Sequence, residues 1–155
     1  MTPSTNSFDT DAPLVRVENL TKHFPIRKGV LARTVGQVRA VDGVSFTIAP
    51  GETLGLVGES GCGKTTLGRT LLRLETPTAG SVLINDEDLC AFSSAQLRRA
   101  RRNMQMVFQD PYSSLNPKMT VRDTVTEAIR AHGMGTGDRD EEALRLLGEV
   151  GLDRD

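Results

Sequence analysis

An α/β fold is predicted for this 155-residue chain by three observations. An apolar run, Thr53-Leu54-Gly55-Leu56-Val57, leads straight into a glycine-rich loop and then into Leu67, Leu71 and Leu74 at helical spacing. Two stretches of alternating apolar residues precede that unit, Val15 with Val17 and then Val44, Phe46 and Ile48. Beyond it the chain turns helical, with capping signals ahead of apolar faces. The expected architecture is a strand–loop–helix core, an antiparallel β layer beside it, and the beginning of a helical subdomain.

The elements follow in order. The polar opening, residues 1–13, has no basic region and no apolar stretch of a secretory signal, and reads as a disordered tail. Val15 and Val17, alternating with Arg16 and Glu18, predict a half-exposed strand. Pro25 to Gln37, carrying Arg27, Lys28 and Arg33, reads as a long solvated connection. Val44 to Ile48 is a second half-exposed strand, turned by Pro50-Gly51. Thr53 to Val57 reads as a buried strand, and Leu67 to Leu74 as a helix. Thr76 to Gly80 is a turn, and Ser81 to Ile84 a strand ended by Asn85-Asp86. Ser93 with Gln96 forms a capping box for a short helix whose arginines 98, 99, 101 and 102 suit its C-terminal end. Met104 to Phe108 reads as another core strand, followed by a polar loop with two prolines. Thr120 with Asp123 caps a helix with Val121, Val125 and Ile129 on one face. Asp138 to Val150 is a last helix with Leu144, Leu147 and Val150 inward and Gly151 as its stop.

The loop carries the chemistry. Gly58-Glu59-Ser60-Gly61-Cys62-Gly63-Lys64-Thr65 fits G-x-x-x-x-G-K-[ST], the phosphate-binding loop. A nucleoside triphosphate presents several negative charges, and the first turn of a helix presents unpaired N–H groups and a partial positive end. Glycines at 58, 61 and 63 let the backbone wrap close to the phosphates. Lys64 is then a point charge on the β- and γ-phosphates, and the Thr65 hydroxyl a ligand for Mg²⁺. Ser60, Cys62 and Thr66 complete the set expected to line the phosphate site. A thiol reagent on Cys62 is expected to block nucleotide by bulk.

Composition narrows the alternatives. A formal net charge of −1 provides no global field for nucleic acid or an anionic membrane. Trp is absent and aromatic residues make up 4% of the chain, so no stacking platform for bases is evident. Two cysteines, Cys62 and Cys90, give no disulfide framework and fit a cytosolic chain. A soluble P-loop kinase is a second function class, and it requires an acceptor-substrate site.

Taken together, the loop Gly58 to Thr66, Val41-Asp42-Gly43-Val44-Ser45-Phe46 before it and Met104-Gln105-Met106-Val107-Phe108-Gln109-Asp110-Pro111 after it resemble the ATP-binding subunit of an ABC transporter. Tyr112-Ser113-Ser114-Leu115-Asn116-Pro117 and the long connection after Lys22-His23-Phe24-Pro25 resemble the oligopeptide and dipeptide importer branch. The resemblance implies a P-loop NTPase (RecA-like) core with its antiparallel layer over 14–109, and a glutamine loop with the start of the helical subdomain over 110–155. It also implies truncation, because the signature motif, the second Walker strand and the switch histidine do not occur; His23 and His132 do not match that histidine.

For function, the resemblance implies an ATPase that couples ATP and Mg²⁺ to the uptake of di- and oligopeptides, with nickel or glutathione import, or a non-transport ABC protein, as alternatives. The isolated chain is expected to be inactive. The resemblance makes Lys64 and Gln109 catalytic, Thr65 and Gln109 metal-associated, and Phe24 the ring that stacks on adenine, against an alternative as a core side chain. Pro111, Tyr112 and Leu115 correspond to the groove for a helix of the transmembrane subunit. The implied partners are transmembrane permease subunits, a second, related ATP-binding subunit and, indirectly, a substrate-binding protein, with no nucleic acid. The implied location is peripheral, on the cytoplasmic face of the inner membrane.

Overall fold

The computed structural model describes residues 12–29, 33–108, 110, 115–134 and 137–152. Positions 1–11 of the expected tail, and Gln109, Pro111 and Tyr112 of the expected glutamine loop, lie outside the described residues. The chain divides into two compact units, Met1–Met104 and Gln105–Asp155.

The first unit is built on a four-stranded antiparallel sheet. Its strands are β1 (Val15–Lys28), β2 (Arg33–Ile48), β3 (Ala79–Ile84) and β4 (Glu87–Asp88), in the order β2-β1-β3-β4. Val17 stands opposite Phe46 on one side and Val82 on the other. Strand alternation therefore gathers these side chains on one face. Helix α1 (Lys64–Leu71) lays Leu67 and Leu71 onto that face. Val17, Leu20, Val41, Leu67, Val82 and Leu89 are buried there, with Phe46, Ile84, Phe92 and Met104 packed around them. Each such side chain contributes roughly 1.5–3 kcal/mol by leaving water.

Local chemistry explains the turns. Asn85 and Asp86 both have positive φ, 49° and 60°, as the two-residue hairpin between β3 and β4 requires. A bulge at Val17–Leu20 bends β1, and Gly80 of β3 packs so closely under it that a side-chain carbon would strike the Asn19 and Glu18 carbonyls. The Ser93–Gln96 box is formed in full: the Ser93 hydroxyl accepts from the Gln96 amide and the Ser93 amide donates to Gln96 Oε1 at 2.9 Å. It opens α2 (Ser94–Ala100), and a 3₁₀ turn, Arg101–Asn103, follows. The Arg101 guanidinium donates to the Arg73 carbonyl at 2.8 Å.

The second unit contains two helices, α3 (Val121–His132) and α4 (Arg139–Glu149). Thr120 caps α3 by accepting from the Asp123 amide, and Gly133 ends it at φ 63°. Asp138 caps α4 through the Asp140 amide. Two reciprocal ion pairs, Arg122–Asp140 and Arg139–Asp123, cross between the helices.

Four expectations are corrected. The connection expected over Pro25 to Gln37 is largely strand: Phe24 pairs with Val38, Pro25 with Gln37 and Ile26 with Gly36. Proline fits there because β3 pairs with β1 only as far as Thr21, so Pro25 lies on a ribbon with one side free of ladder partners. Residues 53–57 are not a strand, and Leu54, Leu56 and Val57 are exposed, Val57 by 94%. Residues 104–108 are not a strand either, and Val107 is 91% exposed. A strand exists only where its N–H and C=O groups meet a neighbour, and no described strand pairs with either run. Finally, Val150 is exposed rather than inward, and Leu74 and Val121, assigned to apolar helix faces by their spacing, are exposed as well. Leu74 lies past the end of α1 and Val150 past the end of α4, where the helical spacing that assigned them no longer applies.

Candidate phosphate-binding site

The glycine loop leaves the exposed run at Val57 and enters α1 at Lys64. It is folded back on itself. The Cys62 amide donates to the Glu59 carbonyl at 3.3 Å, and Cys62 Sγ sits so near Gly58 that a Cβ there would lie 2.6 Å from it. Gly61 and Gly63 have φ of 84° and 99°. Gly63 is the tightest point, because a Cβ would fall far inside the 3.0 Å floor of real contacts, against the Ala40 carbonyl of β2. The loop is thereby pressed onto the sheet through a position that only glycine can occupy.

The Lys64 ammonium donates to the carbonyls of Gly58 and Glu59, both at 2.6 Å, and lies 3.6 Å from Cys62 Sγ. All three of its N–H bonds therefore face the loop, two of them on carbonyls and the third on the thiol, a weak acceptor that a phosphate oxygen would readily replace. The first intrahelical bond of α1 runs from the Leu67 amide to the Gly63 carbonyl, so the amides of Lys64, Thr65 and Thr66 have no intrahelical acceptor. Gly63 supplies no side-chain cap, and the first turn has no acidic residue to complement its positive end. Ser60 and Thr65 are exposed, and Thr66 is half-buried with its carbonyl accepting from the Thr70 hydroxyl at 2.7 Å. Free amides, an ammonium and a hydroxyl are thus close neighbours in sequence at the start of α1, the chemistry that a chain of phosphates requires.

Phe24 belongs to the same neighbourhood by topology. It pairs with Val38 on β2, two residues from Ala40, a separation of about 7 Å along a strand. Its ring is half-buried. Gln109 lies outside the described residues; its neighbour Phe108 is partly exposed, and Leu115 is exposed. Among the described residues no group of three or more His, Cys, Asp or Glu side chains is placed to hold a metal ion. The hydroxyl of Thr65, beside the phosphate seat, suits Mg²⁺ that draws its other oxygens from phosphate and water. The sequence pattern missed Ala40 and Val38, because the loop motif specifies its glycines and not the surface they press against.

A glycine loop feeding the start of a sheet-packed helix defines a P-loop fold, and comparison with known proteins agrees. The ATP-binding cassette MJ0796, in a dimeric post-hydrolysis state bound to ADP and Pi, superposes with a TM-score of 0.71 at 25% identity, over 86% of this chain and 54% of that one. The ABC transporter family matches residues 41–155, and the chain belongs to that family. It is 50% identical over 141 residues to the oligopeptide transport ATP-binding protein AppF of Bacillus subtilis strain 168, covering 90% of this chain and 43% of the relative. It is 51% identical over 140 residues to a probable peptide ABC transporter ATP-binding protein, y4tS, of Sinorhizobium fredii, covering 90% and 40%. It is 46% identical over 141 residues to the glutathione import ATP-binding protein GsiA of Escherichia coli K12, covering 90% and 23%. The chain therefore spans less than half the length of these relatives.

Proposed function

We propose that this chain carries the phosphate- and adenine-binding part of the ATP-binding subunit of a peptide importer. The observation that carries the reading is the braced loop: Gly63 against Ala40, Lys64 clasping two loop carbonyls, and the open first turn of α1. In this reading Lys64 neutralises the β- and γ-phosphates, Thr65 ligates Mg²⁺, and Gly58, Ser60, Gly61, Cys62, Gly63 and Thr66 line the phosphate seat. Phe24 receives the adenine ring. Gln109 reaches the metal and orients the attacking water. The magnesium ion supplies charge neutralisation between phosphate oxygens. The intact subunit supplies the remaining catalytic groups, pairs with a second ATP-binding subunit and docks on permease subunits at the cytoplasmic face of the membrane. Among the described residues no helix is long and apolar enough to cross a membrane, in keeping with a peripheral position.

Short peptides are the cargo this reading favours, on the likeness to relatives named for oligopeptide and peptide transport. Glutathione is the second reading, on the likeness to the glutathione relative; as a tripeptide it belongs to the same chemical class. Calorimetric titration of the intact subunit with Mg²⁺-ATP tests the site. Losing one charge-assisted contact, about 1.5–3 kcal/mol, means that Lys64→Ala should weaken binding roughly 10- to 100-fold. Undiminished affinity would dismiss the phosphate reading. The 155-residue chain alone should show no ATPase activity above its Lys64→Ala variant. Uptake into proteoliposomes, with di- and tripeptides competing against glutathione, separates the two cargo readings.

A further inference from the structure

Lys22 lies two residues before Phe24 on β1 and holds its ammonium 4.7 Å from the centroid of the Phe24 ring. The same ammonium donates to the Thr76 carbonyl at 2.8 Å and pairs with the Glu75 carboxylate at 3.4 Å. An ammonium has three N–H bonds, and these three partners account for all of them. The Lys22 side chain is only 13% exposed, so its charge is shielded from the solvent that weakens most surface lysines. Glu75 and Thr76 belong to the segment between α1 and β3, so the ammonium ties β1 to the chain that leaves the phosphate-binding helix.

We infer that Lys22 is a positioning and specificity residue for the nucleotide base: it closes one face of Phe24 and prepares the other for a purine. The inference rests on the proposed adenine role of Phe24. Two physical consequences follow. A cation on one face of a ring draws electron density toward itself, which makes the opposite face a better partner for an electron-rich purine. The three-point anchor also fixes the tilt of the ring, so the base meets a platform already ordered and less side-chain freedom is lost on binding. Val38, opposite Phe24 on β2, and Ile26, two residues beyond it on β1, are partly exposed and extend the apolar surface beside the ring. Gly36, opposite Ile26, adds no bulk there; even a Cβ would only touch Ile26 Cδ1 at 3.6 Å.

The test uses the intact subunit and two probes, Mg²⁺-ATP and inorganic tripolyphosphate, which shares the phosphates and lacks the base. Phe24→Leu reports on the platform itself and should weaken ATP about tenfold while leaving tripolyphosphate unchanged, as for loss of one stacked base. Lys22→Met should weaken ATP about three- to fivefold, the size of a single cation–π contact, again without changing tripolyphosphate. Lys22→Arg keeps a cation over the ring and should restore ATP affinity. Lys22→Met should add nothing once Phe24 is Leu. Glu75→Gln breaks the ion pair but leaves the cation, so it controls for general destabilisation and should cost less ATP affinity than Lys22→Met. Equal losses for ATP and tripolyphosphate in Lys22→Met would make Lys22 a phosphate contact and overturn the inference. So would full ATP affinity in Lys22→Met beside a weakened Phe24→Leu, which would leave the platform standing without Lys22. An unaffected Phe24→Leu would remove the adenine reading itself.

Discussion

Replacing Gly63 by alanine probes the closest approach in the site. Two separate penalties apply. Gly63 has φ 99°, a backbone conformation in which a side chain costs about 1–3 kcal/mol. Its new Cβ would also fall about 1 Å short of the 3.0 Å floor for real contacts, against the backbone carbonyl of Ala40, with the Ala40 carbonyl carbon at 3.3 Å. That obstacle is a strand rather than a flexible side chain, so the loop must retreat. Gly61 isolates the first penalty: its φ is 84°, and a Cβ there meets nothing within 4 Å. Urea unfolding of the chain should therefore show Gly63→Ala more destabilised than Gly61→Ala, by about 1–3 kcal/mol, the usual cost of overpacking. Tripolyphosphate binding by the intact subunit should fall in the same order, because a displacement of about 1 Å in a phosphate seat is enough to cost function on the order of a hundredfold. Gly58→Ala carries no backbone penalty of this kind; its obstacle is the Cys62 thiol at 2.6 Å, and adding Cys62→Ala should relieve it. Equal stability for Gly63→Ala and Gly61→Ala would refute the claim that Ala40 backs the loop.

Further outcomes follow from other groups. Cys62 is exposed, whereas Cys90 is half-buried and burial pushes its thiol pKa up; iodoacetamide should therefore label Cys62 first, and Mg²⁺-ATP should slow labelling of Cys62 alone, as followed by peptide mass spectrometry on the intact subunit. The hydrogen bond from His23, helped by the Arg39 guanidinium, holds the Asp42 carboxyl below its ordinary value. A depressed carboxylate stabilises the fold above its unfolded value, about 3.9, and loses that contribution as pH falls through the lower folded value. Thermal melts of wild type and Asp42→Asn should accordingly differ near neutral pH and converge in acid; a constant gap would argue against it. Leu67→Ala, at a buried position on α1, should cost about 2–5 kcal/mol in urea unfolding, while Leu56→Ala in the exposed run should stay within about 0.5 kcal/mol.

Features that depend on one short stretch of chain were legible in the sequence. The Ser93–Gln96 box, the Thr120 cap, the Asn85-Asp86 turn and the alternation of Val44, Phe46 and Ile48 each need only neighbours a few residues away. The glycine loop was legible for a similar reason, since its spacing encodes a backbone path. Long-range placement was not. The ribbon through Pro25 and Gln37 looked like a loop because proline and basic residues signal one locally, yet β2 pairs with β1 from Gln37 opposite Pro25 to Arg33 opposite Lys28. Nothing in the composition around Ala40 announces that its carbonyl supports Gly63; that contact exists only once β2 and α1 have packed.

The exposed run before the loop shows the same division from the opposite side. Leu54, Leu56 and Val57 have the residue types of a buried strand, and their apolar pattern is unambiguous. Strand geometry is nevertheless a property of pairs, because every second amide and carbonyl must find a partner in the next strand. The described sheet ends at β2 on one side and β4 on the other, and neither edge pairs with 53–57. Among the described residues the loop is held by other contacts. It is fastened at its other end, where Gly63 meets β2, Lys64 clasps Gly58 and Glu59, and Leu67 is buried beneath the sheet. The phosphate seat therefore depends on the antiparallel layer and α1. Substitutions at Gly63 or Leu67 should accordingly disturb it.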